Sequence, residues 1–239
     1  MKKILCFSGG KDSTAMLITL LENGSQIDDI LYVDVGDWMW NEAKDHIQQV
    51  QDRLGVTITI LNASDELRKG FERWGFPSIF NRWCTGIKKT MMADYIKENY
   101  KDENIVQYIG YCVDEVKRTS KKLYSSFDVE YPLVEANITT FDALKICYDY
   151  GFDFGGIYEH HQHFNCWLCP LQKRSELYTL FKEYPNLWNK LRDMQFKTDG
   201  YYQYEMSVMD FDKRFWLKHH EDLREDRLKA RAKYNKRGN

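Results

Sequence analysis

The sequence lacks any long hydrophobic run: no stretch approaches the roughly 18–20 apolar residues of a membrane helix, so no membrane partner is expected. Lys2-Lys3 is followed by only Ile4-Leu5-Cys6-Phe7, far too short for a secretory leader, and the expected location is the cytoplasm. Charge of one sign is also missing. The net charge of −2 gives the whole molecule no pull toward nucleic acid or membrane. Six cysteines in 239 residues are too few for a small disulfide scaffold. In a reducing compartment they read as buried thiols or metal ligands. There is no internal repeat and no low-complexity linker. The remaining composition, 43% hydrophobic and 29% charged, is that of a globular chain, and aromatics are high at 15%.

The chain is organised around Ser8-Gly9-Gly10-Lys11-Asp12-Ser13. An apolar run precedes it, and Met16, Leu17, Leu20 and Leu21 follow on one helical face, with Gly24 as a stop. Strand, glycine turn and helix therefore come in that order. Two glycines let the backbone bend and approach a ligand. The helix start points unpaired N–H groups and a partial positive charge into the turn. With the hydroxyls of Ser8 and Ser13 and the cation of Lys11, the turn suits a phosphate group. It is not the Walker A pattern, which needs four residues between its first glycine and a Gly-Lys pair.

A second apolar strand, from Asp29, ends in Asp34-Val35-Gly36, as at the carboxyl edge of a parallel sheet. Helix is expected over 41–54 with Gly55 as its stop, strand over 57–61, and helix from Ser64 or Asp65 as cap until Phe76-Pro77 breaks it. Further along, helix is expected over 85–99, strand over 105–111, an extended run closing at Tyr131-Pro132-Leu133, and helix over 141–150 capped by Thr139 or Thr140. After Cys169-Pro170 the strand signals fade, and helices are expected over 175–184, 185–194 and from 210 to about 236. Alternating strands and helices predict an α/β fold with a doubly wound, mostly parallel sheet. The expected division is a nucleotide-binding domain over 1–165 and a segment over 166–239 comprising the cysteine pair and a helical extension.

Three further motifs carry chemistry. In Arg82-Trp83-Cys84-Thr85-Gly86-Ile87-Lys88-Lys89 a cysteine opens a helix among cations, which favours its thiolate. In Cys166-Trp167-Leu168-Cys169-Pro170 two cysteines are spaced to share one metal. Cys84 is the natural third ligand. Cys112 and His160, His161 or His163 are candidates for a fourth. Zinc and iron–sulfur clusters both accept thiolates, and spacing does not separate them; a redox dithiol is the other reading of the pair. In Gly110-Tyr111-Cys112-Val113-Asp114-Glu115-Val116-Lys117-Arg118, the acids suit a metal or a ribose and the bases a phosphate.

Taken in order, these motifs resemble the phosphoadenosine phosphosulfate reductase family of the PP-loop ATP pyrophosphatase superfamily, with the closest look to phage-type and mobile-element members. The resemblance implies an adenine nucleotide alpha hydrolase-like fold. It also implies that Ser8, Gly9, Gly10, Asp12 and Ser13 hold the phosphates of ATP or a related adenine nucleotide with Mg2+, and that Asp34 and Gly36 lie near the nucleotide. Lys11, Asp12, Arg82 and Lys88 are the expected catalytic groups. Cys84, Cys166 and Cys169 match three of four ligands of the family's 4Fe-4S cluster, with Zn2+ the alternative; Trp83 stands where cluster-bearing members have another cysteine. Similar three-cysteine clusters occur in PP-loop enzymes that thiolate tRNA. Assimilatory sulfonucleotide reductases carry a C-terminal catalytic cysteine, and this sequence has none after Cys169.

The reading that follows is an ATP pyrophosphatase that adenylates an acceptor for sulfur transfer. The basic stretch from Arg227 to Asn239, with Lys121-Lys122, is the candidate for recruiting a nucleic-acid acceptor, and a homodimer is among the expected assemblies. A sulfonucleotide reductase is the second reading. A nucleotide-binding protein with a structural zinc is the third.

Overall fold

The computed structural model describes residues 1–119 and 127–235. Lys121, Lys122 and the last four residues of the basic tail lie outside them. Five strands form one sheet: β1 (Lys2–Phe7), β2 (Asp29–Asp34), β3 (Thr59–Asn62), β4 (Ile105–Tyr108) and β5 (Asp128–Glu130). Their order is β3-β2-β1-β4-β5 and every pairing is parallel. β1 is central because Ile4, Leu5 and Phe7 are apolar toward both faces and buried. The chain moves outward from β1 to β2 and β3, then crosses to β4 and β5. The carboxyl ends of β1 and β4 therefore flank the point where the order reverses, which is where open α/β sheets bind ligands.

Helix α1 (Lys11–Glu22) is buried along most of its circumference, including Met16, Leu17, Ile18 and Leu20. It packs against α5 (Pro132–Glu135) and α6 (Thr140–Asp149). Leu21, expected on the buried face, is exposed. α2 (Asn41–Leu54) ends at left-handed Gly55 as expected. α3 (Ser64–Trp74) starts with Ser64 already helical; Asn62 Oδ1 takes the Ser64 N–H at 2.9 Å, so neither Ser64 nor Asp65 is the cap. The extended run expected to close at Leu133 ends at Glu130. Pro132 instead opens α5, because its fixed φ and missing N–H suit a first helical turn. Thr139 and Asp142 form a reciprocal capping box at α6. α4 (Trp83–Asn99) packs on β2, its Ile96 buried with Ile4, Leu31 and Ile105. Among the described residues no helix is long and apolar enough to cross a membrane.

The chain forms two compact units. The first comprises 1–69 and 83–167 and holds the sheet; the second comprises 70–82 and 168–239. The division near 166 is thus joined by an excursion that the sequence did not reveal. Residues 70–82 belong with the second unit because Phe76 packs edge-on to Tyr202 at 5.0 Å and Gly75 faces Thr198. In that unit α7 (Arg174–Glu183), α8 (Pro185–Gln195) and α9 (Val208–Asn235) pack on one another. Phe181, Trp188 and Phe215 meet at their interface, and Trp188 Nε1 donates to Asp212 at 2.7 Å.

Beneath the first unit's sheet edge, His46 of α2 is buried among Phe152, Phe154 and Phe164. It shares a 3.1 Å hydrogen bond with Thr14 of α1, and its Nδ1 has no partner among the described residues. Burial lowers its pKa from the ordinary 6.5 to about 4, with Asp153 opposing and Arg53 adding to the shift. The folded state thus refuses a proton that the unfolded chain accepts. The resulting stability is fully present above pH 6.5 and is lost as pH falls toward 4, about 3 kcal/mol in all. Urea denaturation from pH 7 to pH 4.5 is expected to reveal this loss with uptake of one proton, and His46→Gln is expected to remove that component.

Candidate functional site

The phosphate-type loop stands at the reversal point of the sheet. Gly9 is left-handed at φ 77°, and the turn it makes brings Ser8 back toward α1. Ser13 Oγ accepts the Ser8 N–H at 3.1 Å, lies 3.0 Å from Ser8 Oγ and donates to the Gly10 carbonyl at 3.0 Å. Both hydroxyls therefore lie together at the turn. The first turn of α1 is held from several sides. The Lys11 N–H donates to Tyr158 Oη at 2.8 Å, the Cys147 thiol donates to the Lys11 carbonyl at 3.3 Å, and Thr14 reaches His46.

Lys11 is itself 4% exposed. Its ammonium pairs with Asp12 Oδ1 at 2.8 Å and lies 5.8 Å from the centre of the Tyr158 ring. Asp12 Oδ1 also accepts the Cys112 thiol at 3.3 Å. Burial, reinforced by Asp12, pushes both Cys112 and Cys147 up to about 12, so both are protonated donors. Cys112, considered as a metal ligand, is placed at the phosphate loop instead. From β4, Gly110 closes onto the same turn: a Cβ there would lie 3.0 Å from the Asp12 carbonyl oxygen and 3.1 Å from Ser13 N.

Asp34 and Gly36 lie at the end of β2. Asp34 Oδ1 accepts the Gly36 N–H at 2.9 Å, and left-handed Gly36 begins a short 3-10 turn, Gly36–Trp38. That turn gathers the cysteine motifs. Trp38 packs edge-on to Trp83 at 5.9 Å; its carbonyl accepts the Trp167 N–H at 3.1 Å, and Trp167 Nε1 donates to the Asp37 carbonyl at 2.7 Å. Trp83 precedes Cys84 and Trp167 follows Cys166, so the two cysteines are drawn to one neighbourhood. The ionisation of Cys166 reports it. Burial raises its pKa, Lys88 opposes the rise and Cys84 adds to it. Tyr32 links this group to the loop. Its ring lies 3.7 Å from where a Gly9 Cβ would be, and burial, then Asp34 and Cys166, raise its hydroxyl pKa.

The first unit thus brings together Ser8 to Ser13, Asp34, Gly36, Cys84, Lys88 and Cys166. Arg82, which is exposed, and Cys169 belong to the second unit. None of the six cysteines is in a disulfide. Among the described residues no three His, Cys, Asp or Glu side chains converge to hold a metal ion. Tyr158, Tyr32, His46 and the three tryptophans escaped sequence reasoning. The one usable signal was a tryptophan beside Cys84 and beside Cys166, and another two residues after Gly36.

Gly110→Ala must displace the first turn of α1, because the atoms it meets are backbone. A stability loss of about 1–3 kcal/mol is expected, read as a lowered urea midpoint. Gly86→Ala, inside α4 with nothing within 4 Å of its Cβ position, is the control; it is expected to be neutral or stabilising by up to about 1 kcal/mol.

Comparison with known proteins places these features. A model of the phosphoadenosine phosphosulfate reductase domain matches residues 2–137. Two curated relatives are the uncharacterized proteins MJ0066 and MJ0973 of Methanocaldococcus jannaschii. They are 25% identical over 78% of this chain and 26% identical over 82% of it. The chain spans only 40% and 47% of their respective lengths. Among solved structures, the U34-tRNA thiolase NcsA from Methanococcus maripaludis with its 4Fe-4S cluster is similar at 17% identity and a TM-score of 0.44. The match covers 78% of this chain and 72% of that one. The domain match takes in β1 to β5, the phosphate loop and Cys84, more than half of the chain, and the protein belongs to the phosphoadenosine phosphosulfate reductase domain family.

Proposed function

We propose that the chain is an ATP pyrophosphatase that adenylates an acceptor for sulfur transfer, the acceptor being a nucleic acid. One observation carries the reading. The phosphate-type loop and the Cys84, Cys166 and Lys88 group lie in one unit, with Tyr32 beside the loop and its hydroxyl under the electrostatic influence of Cys166. A nucleotide site and thiols so arranged suit activation followed by sulfur delivery.

ATP would lie with its phosphates on the loop, held by the Ser8 and Ser13 hydroxyls and the N–H groups at the start of α1. Buried Lys11 supplies fixed positive charge below. Asp12, with Oδ1 taken by Lys11 and Cys112, offers its remaining oxygen to Mg2+. An acceptor oxygen attacks the α-phosphorus and loses its proton. The bond from that phosphorus to the bridging oxygen breaks, and pyrophosphate leaves with its electrons. A sulfide-level donor then attacks the adenylated carbon and displaces AMP. Lys88 stabilises thiolate at Cys166, and Arg82 is the proposed further cation for developing negative charge. Cys84, Cys166 and Cys169 remain the proposed sulfur-handling set. The basic stretch from Arg227, which begins within α9, supports a polyanionic acceptor.

A sulfonucleotide reductase is the second reading, favoured by the same thiols beside the same loop. Calorimetric titration of anaerobically purified protein separates the two. Mg-ATP is expected to bind more tightly than adenylyl sulfate or its 3′-phosphorylated form, and Ser13→Ala and Asp12→Ala are expected to abolish pyrophosphate release while the fold survives. Turnover that persists in both variants would show that the loop assignment is wrong. Tighter sulfonucleotide binding would establish the reductase. On the same samples, iron and zinc are measured for Cys84→Ser, Cys166→Ser and Cys169→Ser; metal content that falls in each would assign all three as ligands.

A further inference from the structure

The second unit holds a cavity of about 520 Å³ that the proposed chemistry does not use. This is the size of a small-molecule site. Its walls include Ser78, Phe80, Leu171, Tyr201, Tyr204 and Glu205. Three aromatic side chains stand open to solvent around it: Phe80 is 93% exposed, Tyr204 68% and Tyr201 65%. Single exposed apolar residues are ordinary. Three around one concavity mark a recognition surface.

The floor is rigid. Tyr202 is buried, and its hydroxyl bridges the Leu168 and Cys169 carbonyls at 3.2 Å each. Gln203 is buried, and its Nε2 donates to the Pro170 and Gln172 carbonyls at 2.6 and 2.8 Å. The hairpin that carries the rim is thereby stitched to the segment following Cys169. Its turn is strained. Gln203 and Met206 pair across Tyr204 and Glu205, which are both left-handed, at φ 49° and 58°. Asn-Gly would make such a turn easily. Tyrosine and glutamate in its place keep an aromatic ring and a carboxylate at the cavity mouth, as strain retained at a binding site does.

The lining chemistry selects the ligand class. Among the described lining residues there is no lysine, arginine or histidine, while Glu205 contributes negative charge. Phosphate is disfavoured. A planar heteroaromatic ring is favoured, with its faces against tyrosine or phenylalanine and its N–H edge toward a carboxylate. Unpaired nucleobases are recognised in this way, by aromatic stacking with hydrogen bonds to the base edge.

We propose that this cavity takes an unpaired nucleobase of a single-stranded nucleic acid, the acceptor of the reaction proposed above; as an acceptor site it rests on that reading. Pro170 and Leu171, which line the cavity, directly follow Cys169, so a base docked here lies against the segment that carries a candidate sulfur-handling cysteine.

The test measures anisotropy of a fluorescein-labelled, eight-nucleotide single-stranded RNA of mixed sequence on the full chain. An abasic phosphodiester of equal length and the free nucleosides serve as competitors, and Mg-ATP binding is measured in parallel. RNA is expected to bind well ahead of the abasic oligomer. Phe80→Ala and Tyr204→Ala are each expected to weaken RNA binding about tenfold, with Mg-ATP binding unchanged and Tyr204→Phe close to the parent. Glu205→Gly is expected to raise the thermal midpoint by relieving the turn and still to weaken RNA binding, a combination that a purely structural role would not produce. Equal binding of RNA and abasic oligomer would overturn the proposal, as would unchanged RNA affinity in the Phe80→Ala, Tyr204→Ala double variant. Competition by free nucleosides as effective as by RNA would reassign the cavity to a free nucleoside. A chain that binds RNA through these residues and fails to bind Mg-ATP would sink the adenylation reading and leave the cavity's assignment intact.

Discussion

The fixing of the first turn of α1 is the constraint on which the rest of this structure depends. A helix start leaves N–H groups without intrahelical partners, and a loop meant for phosphate must keep its donors in place without flexible filling. Here the turn is clamped by neighbours that are buried, as Cys147 and His46 are, or half-buried, as Tyr158 and Gly110 are. Tyr158 takes the Lys11 N–H, Cys147 binds the Lys11 carbonyl, His46 holds Thr14, and Gly110 presses on the Asp12 and Ser13 backbone. Each comes from a different part of the chain. The parallel order β3-β2-β1-β4-β5 makes this convergence possible, because it sets the ends of β1 and β4 side by side. A buried lysine would be costly alone. Paired with Asp12 and set near the Tyr158 ring, it becomes part of the clamp.

The cysteine motifs are organised by a different device. Tryptophans anchor the segments that carry Cys84 and Cys166. The turn at Gly36–Trp38 receives Trp83 by ring packing and Trp167 by two hydrogen bonds, and the adjacent Cys84 and Cys166 follow. Lys88 then favours thiolate at Cys166, while burial and Cys84 oppose it. Burial prevails and the Cys166 pKa is raised; the Cys112 and Cys147 protons are committed to the clamp.

The second unit shows the opposite economy. Its helices pack through an aromatic cluster of ordinary kind, yet its hairpin keeps two left-handed non-glycine residues and leaves large rings in solvent. Rigidity below the hairpin, from Tyr202 and Gln203, holds that arrangement in place. Recognition surfaces accept such local disadvantages because the ligand, not the folded core, compensates them.

Local patterning was enough to read the alternation of strands and helices, the phosphate-type loop, the helix stop at Gly55 and the cap at Thr139, since each rests on neighbouring residues: glycine's access to positive φ, a hydroxyl reaching an N–H three residues away, apolar residues at helical spacing. The candidate residues Ser8 to Ser13, Asp34, Cys84 and Cys166 were legible for the same reason. What the tertiary structure decided concerns partners distant in sequence. Tyr158 lies 147 residues from Lys11 and Cys112 lies 100 residues from Asp12, and no spacing rule announces such meetings. Leu21 satisfied the helical period and is nevertheless exposed, because which face is covered depends on where α5 and α6 lie. Residues 70–82 read as part of the first domain by position, yet pack with 168–239 because Phe76 finds Tyr202. Sequence determines what each segment can offer. Burial, which only the assembled chain creates, determines which offers are taken and which charges and thiols must find partners.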